Sequence, residues 1–272
     1  MGMRVTVTLY APSGGVARQA ASRAFARIAE LEDVFSDWRE ESEVRRVADA
    51  GGGSLSAPLC TVLARALELA RDSDGAFDPT VGPLVALWRE SRRTGRLPEP
   101  DSLVAARARI GWRRARLDST RCQLSLEPGT ELDLGGIAKG FILDQALAAL
   151  REAAALPALI EAGGDVVMSE SPPGTAGWRF ALPDRDTLLA SRAVATSGSS
   201  VQYVEIGGTR YSHVLDPATG LGSTRGIQAI VIAPDGLTAD GLATALTLLD
   251  RPARERLLAR YPGAVALLRP ER

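Results

Sequence analysis

Apolar residues recur with two different periods along the first seventy-five residues, and these periods predict a strand followed by two helices. Residues 3–10 alternate polar and apolar side chains, as a half-buried strand does. Over residues 16–35 the apolar positions instead recur every three or four residues, the period of one helix face. A second helical stripe begins after Ser56, a favoured N-cap residue, has Pro58 in its first turn and ends before Gly75.

From about residue 108 onward the pattern becomes richer in strands. Residues 202–206 and 209–215 are two β-rich runs separated by Gly207-Gly208. This predicts a hairpin, because glycine accepts a positive φ at both turn positions. Other predicted elements are a strand at 227–233, helices at 137–153 and 238–249, and exposed connections at 90–103 and 169–177.

Hairpins and helices that follow one another without regular βαβ alternation predict the α+β class, with antiparallel-rich sheets and packed helices. A chain of 272 residues is long enough to bury a substantial core. We therefore interpret residues 1–272 as one domain, with two intimate subdomains and a soft division near 100–110 as the alternative.

Composition narrows the classes of function. With 45% hydrophobic and 24% charged residues, the chain has an ordinary globular composition. A net charge of −1 gives it no overall attraction for nucleic acid or anionic membranes. One histidine, His213, and two cysteines, Cys60 and Cys122, are too few for the usual four-ligand zinc site, although a single disulfide stays open. Any catalytic metal is expected to have oxygen ligands, as magnesium and calcium do.

No basic segment followed by an apolar one occurs at the N-terminus, and no apolar run is long enough to span a bilayer. From the chain as it stands we expect no transmembrane segment and a cytoplasmic protein. A periplasmic or membrane-associated protein is the alternative if an export segment has been removed.

Three short segments carry residues suited to chemistry. Gly135-Gly136 precedes a predicted helix whose N-terminus, with Lys139, suits a phosphate; a helix start with a solvated lysine is the alternative. Asp240 and Thr244 lie four residues apart on one helix face, where both reach one hard cation; alternatively, Asp240 only favours the positive helix end. His213, near the end of a predicted strand, suits proton transfer or a structural role.

The order of these segments resembles the successive motifs of the FAD:protein FMN transferases, the ApbE-type family once described as thiamine-biosynthesis lipoproteins. The resemblance extends over about residues 1 to 250 and implies the ApbE-like fold. The matching segments are Phe35-Ser36-Asp37-Trp38, Ser42-Glu43-Val44, Phe77–Leu84, Asp133–Gly140, Gly163-Gly164-Asp165, Ala195-Thr196-Ser197-Gly198, Tyr211–Gly220 and Asp240–Leu246.

This resemblance implies an enzyme that joins FMN from FAD to a threonine of a target protein, releases AMP and uses a divalent metal, usually Mg²⁺. The expected partner is an acceptor protein with a threonine flavinylation motif, a redox subunit. The implied metal ligands are the Ala138 backbone carbonyl and the side chains of Asp240 and Thr244. The implied FAD-binding residues are Lys139, Asp144, Gly164, Asp165 and Thr196, with Trp38 near the flavin. The implied catalytic residues are Asp240 and His213, the latter also contacting the flavin nucleotide.

Other functions remain open at this stage. Water in place of the threonine would make the protein an FAD pyrophosphatase, and loss of chemistry would leave an FAD-binding protein or a flavinylated electron carrier. Two segments near the expected pocket also depart from the family pattern: Gly220-Leu221-Gly222-Ser223, where a proline is common, and Glu161-Ala162, where a pair closer to Asn-Leu is expected.

Overall fold

The structure is a computed structural model that describes residues 3–198 and 203–270. Its helices are α1 (Gly14–Phe35), α2 (Glu43–Asp49), α3 (Ala57–Asp72), α4 (Gly82–Thr94), α5 (Pro100–Arg107), α6 (Ala138–Glu152), α7 (Gly236–Leu248) and α8 (Arg251–Leu258). Its strands are β1 (Val5–Leu9), β2 (Gly52–Ser54), β3 (Ala115–Asp118), β4 (Gln123–Leu126), β5 (Ala158–Ala162), β6 (Asp165–Met168), β7 (Trp178–Leu182), β8 (Arg185–Leu189), β9 (Arg192–Ser197), β10 (Tyr203–Ile206), β11 (Thr209–Ser212), β12 (Leu215–Asp216), β13 (Leu221–Gly222), β14 (Ile227–Ala233) and β15 (Val265–Pro270).

A six-stranded sheet forms the centre of the molecule. Its order is β1-β5-β6-β9-β14-β15, and every neighbouring pair is antiparallel. The remaining strands form the small sheet β2-β4-β3 and the hairpins β7-β8, β10-β11 and β12-β13. The predicted α+β class with antiparallel sheets and packed helices is confirmed.

The central sheet is covered on both faces. Val167 and Val231 point into the main core, which contains the apolar faces of α1, α3, α6 and α7. Val166 and Ile230, one residue earlier on the same strands, pack instead against Trp178 of the β7-β8 hairpin. This alternation follows from the two-residue repeat of a strand. Helix α7 contacts the sheet, α6 and α3, so a charge on it is enclosed by protein.

Most elements predicted from periodicity are present. The Ser56 hydroxyl accepts from the Leu59 N–H at 3.4 Å and begins α3, as predicted. The hairpin around Gly207-Gly208 is present as β10-β11, while Gln202, the first residue assigned to it, lies outside the described residues.

The prediction of a connection over residues 90–103 was wrong. Helix α4 continues to Thr94 and α5 begins at Pro100, so only a short link separates them. The arginines in the second half of α4 made this stretch look like an exposed loop. Its buried face is present, since Leu84, Trp88 and Ser91 recur at helical spacing. Gly95 then ends the helix with φ +68°, a conformation that glycine adopts without a Cβ penalty.

A small apolar cluster attaches α4 and α5 to the rest of the molecule. It contains Leu84, Trp88, Ala106, Ile206 and Leu215 and so joins these helices to β10 and β12. A division of the chain near residues 100–110 stays a prediction. Within residues 3–198 and 203–270, no helix is both long and apolar enough to cross a membrane.

The two cysteines form a disulfide bridge between Cys60 of α3 and Cys122 in the turn between β3 and β4. The bridge joins residues 62 positions apart and ties the small sheet to the main core. A crosslink of this kind stabilises a fold mainly by restricting the unfolded chain.

We expect the replacement of both cysteines by serine to lower the free energy of unfolding by about 2–5 kcal/mol, the range typical of a native disulfide. Urea denaturation of the wild-type protein and of the double serine variant measures this loss. Each protein is unfolded with and without a phosphine reductant. Reduction should shift the wild-type midpoint and leave the variant unchanged. Equal midpoints for oxidised and reduced wild-type protein would show that the bridge contributes no stability.

Candidate active site

The close contact between α6 and α7 is the framework of the site. A Cβ atom on Gly140 would overlap the carbonyl oxygen of Gly236, and one on Gly236 would lie 2.5 Å from the carbonyl oxygen of Gly140. No side chain fits at either position, so the two glycines allow the helix backbones to touch. At the same point the Gly140 N–H donates to Asp240 Oδ2 at 2.9 Å. The contact therefore also orients the buried Asp240 carboxylate.

Two aspartates fix the N-terminus of α7. Asp235 caps it by accepting from the Thr238 N–H at 2.7 Å. Asp144 of α6 accepts from the Gly236 and Leu237 N–H groups at 2.8 and 2.9 Å, which satisfies donors that a helix leaves unpaired. Burial raises the pKa of Asp144 to about 7, against the lowering effect of these two hydrogen bonds. Asp144 thus connects α6 to α7.

A lysine and two aspartates form the charged centre of the site. Lys139 Nζ lies 2.8 Å from Asp165 Oδ2, and both side chains are largely buried. Burial opposes the charge of Lys139, but the carboxylates of Asp240 and Asp165 outweigh this effect and raise its pKa. Burial and the charge of Asp240 raise the pKa of Asp165 to about 7. Burial also raises the pKa of Asp240, with Lys139 opposing.

Short local structures place Asp165 in this centre. Gly163 and Gly164, with φ of +56° and +90°, make a tight turn between β5 and β6, so that Asp165 begins β6. Its second oxygen, Oδ1, accepts from the Thr196 N–H of β9 at 3.2 Å. The carboxylate therefore connects two central strands to Lys139 at the start of α6.

A cavity of about 290 Å³ opens onto this centre. Its polar lining includes Lys139, Thr196, His213, Asp240 and Thr244, and its apolar lining includes Phe77, Val85, Trp88, Val214 and Leu248. A larger cavity of about 870 Å³ lies beside α3 and the disulfide and is lined by Asp144 and Asp235. We assign the site to the smaller cavity, because it holds the lysine, the histidine and the Asp240–Thr244 pair.

The structure brings most of the predicted site residues together. The smaller cavity is lined by Lys139, Thr196, His213, Asp240 and Thr244. Asp165 forms an ion pair with Lys139, and Ala138 begins α6 directly before Lys139. Five predicted residues do not line this cavity: Trp38, Ala138, Asp144, Gly164 and Asp165. Trp38 is 58% exposed, and Gly164 belongs to the exposed turn before Asp165.

The donor atoms near Asp240 fit a hard cation. Asp240 and Thr244 lie four apart on α7, and the Thr244 hydroxyl makes no hydrogen bond within the described residues. A Cβ on Gly136 would lie 3.3 Å from that hydroxyl oxygen, so a glycine keeps the space beside it open. The described residues include no cluster of three or more histidine, cysteine, aspartate or glutamate side chains that could hold a metal ion, so a cation here would also need hydroxyl or backbone carbonyl oxygens. Carboxylate, hydroxyl and carbonyl oxygens suit Mg²⁺ or Ca²⁺.

The sequence analysis assigned no role to three polar residues of the cavity. Arg89 and Arg92 of α4 line the cavity together with Asp133. Arg89 forms an ion pair with Asp37, and burial together with the charge of Asp37 raises the pKa of Asp133 to about 7. The sequence did carry a signal for Asp133, which stands two residues before the glycine whose N–H it accepts at 2.8 Å.

Comparison with known proteins gives one consistent family. A sequence model described as the ApbE family matches residues 1–268. An FAD:protein FMN transferase of Klebsiella pneumoniae is 34% identical over 90% of this chain and 79% of its own length. An FAD:protein FMN transferase of Treponema pallidum is 30% identical over 97% of this chain and 80% of its own length. The crystal structure of the ApbE protein of Thermotoga maritima superposes with a TM-score of 0.85 at 29% identity, over 99% of this chain and 94% of that one.

We expect the metal-free protein to lose stability as the pH rises from about 4 to about 7. In this interval the folded state retains a proton on Asp165, whose pKa is raised from 3.8 to about 7, while the unfolded state has released it. Raising the pH then removes a proton that only the folded state binds, which lowers the free energy of unfolding.

Urea titrations in EDTA across this pH range, with wild-type protein and Asp165→Asn, measure the effect. Asparagine keeps an oxygen for the Thr196 N–H and does not ionise. The free energy of unfolding of Asp165→Asn should therefore fall less with rising pH than that of the wild type. An equal decline in both proteins would contradict the assignment.

Proposed function

Because the chain belongs to the ApbE family it is an enzyme, and we propose that it transfers FMN from FAD to a threonine of another protein and releases AMP. The observation that carries this proposal is that Lys139, the Asp240–Thr244 oxygen pair and His213 line the same cavity. A cation, a hard metal site and a proton acceptor are the groups that phosphoryl transfer requires.

The buried end of the cavity suits the pyrophosphate of FAD. Lys139 lies in the first turn of α6, where the positive end of the helix dipole also favours a phosphate. Asp240 and Thr244, with the Ala138 carbonyl, would hold the divalent cation. Bound there, Mg²⁺ offsets the charge on the phosphate oxygens and improves AMP as a leaving group.

His213 is proposed to accept the proton of the threonine. It lies between β11 and β12, is exposed, and lines the same cavity as Lys139. The threonine oxygen forms a bond to the FMN phosphorus while the bond from that phosphorus to the AMP oxygen breaks. His213 takes the hydroxyl proton, and Lys139 offsets the charge on the departing AMP.

The test of this proposal is incubation of the purified protein with FAD, Mg²⁺ and an acceptor fragment that carries a threonine flavinylation motif. Intact mass should show that the acceptor gains one FMN, and EDTA should prevent this. Free FMN and AMP with an unmodified acceptor would instead indicate an FAD pyrophosphatase. Bound and intact FAD would indicate a binding protein.

We expect Asp240→Asn to abolish Mg²⁺-dependent FMN transfer, because the amide does not supply the anionic oxygen of the cation site. The fraction of modified acceptor at increasing Mg²⁺ concentration measures this loss. Asp235→Ser is the matched control, since it also removes a carboxylate from the start of α7 but keeps a capping oxygen there. Transfer by Asp240→Asn at the wild-type rate would rule out the proposed metal site.

We expect His213→Ala to lower the rate constant of FMN transfer by about 10²- to 10⁴-fold, the usual contribution of a general base, and to change FAD affinity only a few-fold. Single-turnover mass spectrometry gives the rate, and flavin fluorescence titration gives the affinity. If His213→Ala weakens FAD binding as much as it slows transfer, His213 binds the substrate and is not the base.

A further inference from the structure

Helix α4 carries two arginines to the cavity, and we call this pair, Arg89 and Arg92, the arginine rim. The two side chains stand three residues apart and so lie on one side of the helix. Both line the cavity, and both are exposed to solvent. The arginine rim therefore lies at the mouth of the cavity, whereas Lys139, with 19% of its side chain exposed, lies deeper.

The charges of the two arginines are balanced differently. Arg89 forms an ion pair with Asp37 and lies close to Asp133. Arg92 forms no ion pair with any residue of the described ranges. The next arginine, Arg93, does not line the cavity and binds both carboxylate oxygens of Glu90, at 2.5 and 2.8 Å. Of the two arginines at the cavity mouth, Arg92 is thus the one with no carboxylate partner among residues 3–198 and 203–270.

We propose that Arg92 binds an acidic residue of the acceptor protein close to the threonine that receives FMN. This inference rests on the proposed function. Because the arginine rim is an exposed part of the cavity lining, residues that flank a threonine bound in the cavity come within reach of this part of α4. A guanidinium without an internal partner selects a carboxylate among those residues.

The phosphates of FAD are the other anions that an arginine of this cavity can bind. The position of Arg92 favours the acceptor, because Lys139 already provides a cation at the buried end of the cavity. Charges at the edge of an interface act mainly on partner choice, association rate and salt dependence. Arg92 is accordingly assigned to acceptor recognition and not to the transfer step.

The experiment measures FMN transfer with an acceptor fragment in two forms, one with its acidic residues near the threonine and one with these changed to the corresponding amides. For Arg92→Glu we expect the KM for the acidic fragment to rise about tenfold, with kcat and the Kd for FAD within twofold of wild type. For wild-type enzyme the amide fragment should show a similar rise in KM. An acceptor in which the acidic residues are changed to lysine should restore the KM of Arg92→Glu.

Arg93→Glu is the matched control. It introduces the same change of charge on the next residue of α4, outside the cavity lining, and should leave the KM near the wild-type value.

Each other outcome has a distinct meaning. An unchanged KM in Arg92→Glu, or an equal rise in Arg93→Glu, overturns the assignment of Arg92. A weaker Kd for FAD in Arg92→Glu also overturns it and identifies Arg92 as a phosphate ligand. Wild-type enzyme that binds FAD but modifies neither fragment overturns the proposed function itself, and the role of Arg92 with it.

Discussion

The site depends on the backbone contact between α6 and α7 at Gly140 and Gly236. Through this contact the Gly140 N–H reaches the Asp240 carboxylate, and the start of α6 comes beside the helix face that carries Thr244. The capping of α7 by Asp144 acts in the same place and fixes the direction of the helix. Helix packing ordinarily keeps axes apart by the width of side chains. Here Gly140 and Gly236 have no side chains, so the two helix backbones touch at the point where the Gly140 N–H meets the Asp240 carboxylate.

This contact also explains why three charged side chains are tolerated in a nearly buried position. A carboxylate without partners in the protein interior is strongly unfavourable. Asp165 and Asp240 share Lys139, and each accepts at least one backbone N–H. The arrangement still holds two acids around one base, so the folded protein retains protons that free aspartates release. A cation bound beside Asp240, as proposed, would relieve this repulsion.

The sequence predicted the parts of the site that depend on local order. Glycine pairs, the 240–244 spacing and the motif order identified the segments, and periodicity identified α1, α3, α6 and α7. Proximity between distant segments was available only through the family resemblance. For Asp144 the resemblance implied FAD binding, which stays a prediction, but it did not reveal the contacts of this side chain with the N-terminus of α7. Helix α4 was missed because arginines on its outer face obscured a buried stripe.

The floor of the cavity and its mouth belong to different layers of the molecule. The floor comes from α6, α7 and β9, which belong to the main core, while α4 is held by a smaller cluster and presents its arginines to solvent. Surface substitutions usually change stability little, whereas core substitutions are costly. In evolutionary terms the two layers are free to change at different rates. Duplicated copies of such a gene can therefore acquire new partners by drift on one exposed helix while inheriting the same chemistry intact.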